Sequence, residues 1–121
     1  MNVFQIMTTP VVTTNVHNTV GSIRKKILDR GLHALPVLEN DGNIAGIISS
    51  HDVAKTSNDD TPIENVMTKK VHIVMKNNRV VDAAKVMLKH HIHHLIVMEE
   101  GHVVGMISSL DVMESLLEQS E

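Results

Sequence analysis

The sequence predicts an α+β fold, a sandwich-like arrangement in which two β-α-β-β-α motifs pack through their sheets with pseudo-two-fold symmetry. Three observations predict it. The chain repeats itself across nearly its whole length. Each copy interleaves short β-branched runs with apolar residues at helical spacing. Finally, 121 residues are too few for two independent cores, so each copy's exposed sheet needs the other.

The duplication lays Met7-Thr8 to Val53 on Met67-Thr68 to Val112, at an offset of sixty until Asp41 is skipped. Identities include Met7/Met67, Asn18/Asn78, Val20/Val80, Leu28/Leu88, His33/His93, Leu35/Leu95, Gly46/Gly105, Ser49/Ser108 and Asp52/Asp111. The repeats are assigned to residues 1–58 and 59–121, with Ser57 to Pro62 as the linker. Internal similarity of this order marks a duplicated structural unit.

Each element follows from local pattern. Val11 to Thr14 and Val71 to Met75 are β-branched runs and predict the first strand of each copy. Val20, Ile23, Ile27 and Leu28 recur at helical spacing, as do Val80, Ala83, Ala84, Met87 and Leu88. Asn18 or Thr19 can cap the first helix, and Gly31 suits its left-handed terminator. Leu35 to Leu38 and Ile44 to Ile48 flank an Asp-Gly turn, a hairpin signal. Leu95 to Met98 and Val103 to Ile107 form the matching hairpin. The second helices start at Ser49 or Ser50 and at Ser108 or Ser109, and Pro62 favours a short helical turn.

Composition narrows function. Phe4 is the sole aromatic residue of the Phe, Trp and Tyr class, and the net charge is −3. A stacking platform and a basic footprint for nucleic acid are both missing. There are no cysteines, which excludes disulfides and thiolate metal sites. No apolar run approaches a membrane span and no signal core opens the chain, so the default expectation is a cytoplasmic protein without membrane contact.

The motif with chemical content is Gly-apolar-apolar-Ser-x-x-Asp-Val, at Gly46 to Val53 and Gly105 to Val112. With the Met-Thr entry, the His33-Ala34-Leu35-Pro36-Val37 strand and the tandem order, it resembles a pair of CBS domains, a stand-alone Bateman module. That resemblance implies a non-enzymatic regulatory unit with no cofactor. It would bind adenosine-type ligands (AMP, ADP or ATP rather than S-adenosylmethionine) in the two clefts of the symmetric pair. His94 in place of Ala34 and Leu110 in place of His51 make those clefts unequal. It further implies Asp52 and Asp111 as ribose ligands, with Ser49 and Ser108 on the phosphate side. Val12, Thr13, Ala34, Leu35 and Pro36 would line the first base pocket, and His72, Ile73, His94, Leu95 and Ile96 the second. His33 and His93 take positions that contact phosphate in related modules, and His51 lies inside the first motif. A homodimer assembled through exposed apolar residues of the second helices (Val53, and Val112 to Leu117) and an unidentified effector protein are the expected partners.

The same residues admit other readings. Ser-x-x-Asp at a helix start is also a capping pattern. His90-His91-Ile92-His93-His94 invites a metal, but Gly31 aligns with His91, which would end the helix and separate the ligands. Ser49, His51 and Asp52 have the residue types of a hydrolase triad, yet they are too close in sequence to set the imidazole between the other two. The alternative function is a ligand-free dimerisation or protein-interaction module.

Overall fold

The computed structural model describes residues 1–119. It contains two three-stranded sheets and four helices. Strand β1 (Thr14–Asn15) leads into α1 (Val20–Arg30), β2 (Ala34–Leu38), β3 (Ile44–Ser49) and α2 (Ser50–Ala54). The second copy gives β4 (Ile73–Met75), α3 (Val80–His90), β5 (His94–Glu99), β6 (His102–Ser108) and α4 (Ser109–Gln119). The first strands are shorter than their β-branched runs suggest: Val11 to Thr13 and Val71-His72 lie outside them. Both sheets have the order first-second-third strand, with a parallel pair and then an antiparallel hairpin.

The chain divides into two compact units whose limits differ from those of the sequence repeats. One comprises Val12–Val71, and the other joins Met1–Val11 to the chain from His72 onward. The segment that precedes each repeat therefore packs within the other unit. In the first unit Thr68 bridges to Ile47, with Ile47 N–H to Thr68 O and Thr68 N–H to Ile47 O both 2.9 Å. In the second unit Thr8 N–H donates to Met106 O at 2.8 Å.

This crossing explains the glycine of the repeated motif. A Cβ at Gly46 would lie 2.6 Å from the Thr68 carbonyl oxygen, and one at Gly105 would lie 2.7 Å from the Met7 sulfur. Both glycines stand beside a bulge, where Val37/Leu38 and Val97/Met98 shift register, as expected where a second backbone comes close.

Each unit has its own apolar cluster on the helix side of its sheet, which corrects the expectation that a chain of this length is too short for two cores. Val20, Ile23, Ile27, Leu35, Val37, Ile48, Val53 and Ile63 build the first. Val3, Val74, Ala83, Met87, Leu95, Val97 and Ile107 build the second. Two apolar expectations are corrected here. Leu28 and Leu88 are 75% and 76% exposed, because the residues at i−1, Ile27 and Met87, already occupy the buried stripe. Val53 belongs to the first cluster and is not available on the surface.

Helix ends follow local chemistry. The Thr19 hydroxyl accepts from Ser22 N–H, while Gly31 and His91 both terminate their helices in the left-handed region, at φ 62° and 54°. Helix α2 stops after five residues, whereas α4 runs for eleven. The continuation after α2 is Thr56-Ser57-Asn58-Asp59, all weak helix formers, while α4 continues through Leu116-Leu117-Glu118-Gln119. Arg24 also fixes the early stop. Its guanidinium donates to Val53 O and Thr56 O and pairs with Asp59 at 2.9 Å. Its counterpart in the second copy is Ala84.

The two glycines should respond unequally to alanine. At Gly46 the obstacle is a backbone carbonyl, so Gly46→Ala is expected to cost about 1–3 kcal/mol by overpacking. At Gly105 the nearest atom ends a flexible methionine, so Gly105→Ala should cost less. Urea denaturation of both variants checks the order, and equal costs would contradict the crossing geometry.

Candidate functional site

The repeated Ser-x-x-Asp sequence forms a reciprocal turn in both units. Ser49 N–H donates to Asp52 Oδ2 at 2.9 Å, and Asp52 N–H donates back to Ser49 Oγ at 3.1 Å. The second copy matches closely: Ser108 N–H to Asp111 Oδ2 is 2.8 Å, and Asp111 N–H to Ser108 Oγ is 3.1 Å. This is a capping box with aspartate in place of the usual glutamate. The structure therefore bears out the capping reading, and it does so at the expense of one carboxylate oxygen only. In both turns it is Oδ2 of the aspartate that the serine amide engages. Both aspartates are half-buried and oriented by the turn through Oδ2.

The second strand of each sheet brings its own residues to this turn. Ala34 pairs with Ser49, and His94 with Ser108. The carbonyl of His33 accepts from Ser50 N–H at 2.8 Å, and that of His93 from Ser109 N–H at 2.9 Å. His93 Nδ1 also lies 3.4 Å from Ser109 Oγ. Both imidazoles are exposed beside the turn, as is His51 in the first turn of α2.

Strand alternation sorts the remaining sequence-predicted residues into two faces. Leu35 and Leu95 point into the helix-side clusters, so they can offer a ligand only backbone atoms. Ala34, Pro36, His94 and Ile96 occupy the opposite face, and Ile73 stands beside Ile96 there. Thr13 is half-buried just before β1. Val12 packs against the first cluster. At the equivalent position, the His72 ring stacks on His90 at the end of α3, with centroids 4.1 Å apart. That stack pairs two histidines that sequence reasoning treated separately; no periodicity links a residue before a strand to a helix terminus.

The two competing chemistries find no support in the geometry. Helix α3 ends at His90 while His94 opens β5. Among the described residues no three His, Cys, Asp or Glu side chains are grouped to hold a metal. The Ser49 hydroxyl is engaged by the Asp52 amide, not by an imidazole as a nucleophile would require. No helix among the described residues is long and apolar enough to cross a membrane.

Comparison with known proteins agrees with this architecture. The CBS domain family matches twice, over residues 3–59 and 63–118. The chain belongs to the CBS domain family. It is a tandem CBS pair, a regulatory ligand-binding module by family. A relative from Methanocaldococcus jannaschii is 35% identical over 99% of this chain, which spans 46% of that protein. A 17.7 kDa protein of Acidianus ambivalens is 32% identical, with 96% of this chain and 73% of that protein covered. Among solved structures, the CBS pair of protein MJ0100 has a TM-score of 0.87 at 26% identity, covering 100% of this chain and 98% of that one. That protein was solved with 5′-methylthioadenosine and S-adenosyl-L-methionine. A CBS-domain protein of Burkholderia ambifaria gives a TM-score of 0.88 at 27% identity, covering 100% and 97%.

Because the two CBS turns have the same hydrogen bonds, their caps should be worth the same. Ser49→Ala and Ser108→Ala are each expected to lower stability by about 1 kcal/mol. Chemical denaturation reads this directly, and a cost confined to one variant would show that the turns are not equivalent.

Proposed function

We propose that this CBS pair senses an adenosine-type ligand, with Asp52 and Asp111 as the candidate ribose acceptors, and passes its occupancy to a partner protein. The observation that carries the reading is the aspartate carboxylate of each turn, fixed through Oδ2 by the cap. A carboxylate held in this way can accept hydrogen bonds from a vicinal diol without first losing rotamer freedom. Ser49 and Ser108, with the exposed His33, His51 and His93 nearby, supply polar contacts for a phosphate end. Of the residues expected at the base, Thr13 is half-buried and Ile73 exposed, while Ala34, Pro36 and Ile96 are buried, so Thr13 and Ile73 are the side chains open to a base. The MJ0100 pair, of the same fold, was solved with two adenosine derivatives, which supports this ligand class.

A cap and a ribose ligand are separable by experiment. The double variant Asp52→Ala/Asp111→Ala should lose about 1 kcal/mol of stability per cap. It should also lose the ligand-induced rise in Tm, which for the unmodified protein at a hundred times Kd corresponds to about 2.7 kcal/mol. Melting with and without AMP, ATP and S-adenosylmethionine tests it. A variant that melts lower yet keeps the full ligand increment would leave both aspartates as caps.

A second reading, an interaction module that forms a homodimer, is favoured by α4. Leu110, Met113, Leu116 and Leu117 on this helix are all more than half exposed, more apolar surface than one helix normally leaves open. Helix α4 carries Asp111, Glu114 and Glu118, while the neighbouring α3 carries Lys85, Lys89 and His90. A two-fold contact would set each acidic rim against a basic one. We propose a dimer through this face, with ligand binding and dimerisation compatible. Sedimentation should then show a dimer that Leu110→Lys/Met113→Lys converts to monomer; a monomeric unmodified protein at high micromolar concentration would refute it.

A further inference from the structure

Each unit is completed by a segment of the same pattern, and the duplication shows what that pattern is. Val3 and Ile63 are wholly buried at the start of short 3-10 turns, Val3–Gln5 and Ile63–Asn65. Three residues on, Ile6 and Val66 pack against the clusters of the second and first units, followed there by Met7 and Met67. The turns close alike: Met7 N–H donates to Val3 O and Met67 N–H to Ile63 O, both at 3.0 Å. The shared pattern is a β-branched residue, two others, a second β-branched residue, then Met-Thr.

The receiving grooves match as well. In the second unit Val3 N–H donates to Asn78 O at 2.8 Å, Val80 N–H to Met1 O at 3.0 Å and Thr8 N–H to Met106 O at 2.8 Å. In the first, Ile63 N–H donates to Asn18 O at 2.9 Å, Val20 N–H to Thr61 O at 2.8 Å and Thr68 N–H to Ile47 O at 2.9 Å. Backbone bonds at both ends set the register, and apolar pockets between them take the side chains, a division found in peptide recognition. In the second unit these contacts lie within residues 1–8, and Thr9 and Pro10, which lead on to the first unit, are exposed.

We infer that the groove bounded by Asn78, Val80 and Met106 is a peptide socket, and that it takes the Met1–Thr8 segment of a second copy of this chain when its own is withdrawn. Recognition ends before the exposed connection, so the socket has no contact by which to tell its own segment from another copy's. Only the high local concentration of the tethered segment favours it. Exchange of an identical element in this way is a low-cost route to joining two copies. It uses neither the exposed face of α4 nor the ligand class proposed above, and it stands or falls without them.

The test is hydrogen exchange on the full chain carrying Val3→Asp, which spoils the tethered segment and leaves the socket unaltered. Amides of residues 72–119 are expected to lose protection while those of residues 12–71 keep it. A synthetic peptide of residues 1–9, standing in for the second copy's segment, should restore that protection saturably. The same peptide with Val3→Asp should not. Where Val3→Asp leaves the whole chain unfolded, Val3→Ala takes its place with the same expectations. Protection lost from residues 12–71 instead, or no restoration by the unmodified peptide, would overturn the inference.

Discussion

The reciprocal pair of hydrogen bonds between a serine and an aspartate three residues later is the constraint on which the account depends. It ends a strand, starts a helix, and fixes the aspartate side chain. Without it, a half-buried carboxylate would carry a desolvation cost with no compensating partner. With it, one oxygen is satisfied by an amide and the side chain has little rotamer freedom left to lose. The cap is what these bonds show, and the proposed acceptor role would call on the same carboxylate's other oxygen.

A second constraint positions the first. The turn follows directly on a strand whose glycine lets another segment cross within van der Waals contact, Thr68 over Gly46 and the Met7-Thr8 segment over Gly105. Each crossing segment comes from the stretch that precedes the other repeat. Ile63, wholly buried in the first cluster, thus serves the unit that lies before it in sequence. Cooperation between the copies is written into the covalent path as well as the packing.

Much of this was legible in the sequence. Offset identities gave the duplication, and periodicity gave the helices. The Gly31 and His91 alignment placed the end of α3 where the structure has it. The failures have physical causes. Leu28 and Leu88 look like core at a spacing of one from Ile27 and Met87, and only packing decides which of two adjacent apolar residues faces inward. The short α2 depends on Arg24 reaching carbonyls about thirty residues away in sequence, which local pattern does not encode. At the turn, sequence named Ser49, Asp52, Ser108 and Asp111, but which carboxylate oxygen each cap engages is a geometric fact. Likewise His72 reads as a residue before a strand, while its stacking on His90 comes from tertiary structure alone.

The most direct measurement leaves the protein unaltered, so that no cap is disturbed, and edits the ligand. Calorimetry comparing adenosine with 2′,3′-dideoxyadenosine isolates the diol. If a charged carboxylate receives it, removing both hydroxyls should cost at least about 1.5–3 kcal/mol, a loss of more than tenfold in affinity. Equal affinity for the two nucleosides would contradict the assignment of the aspartate carboxylate as the ribose acceptor.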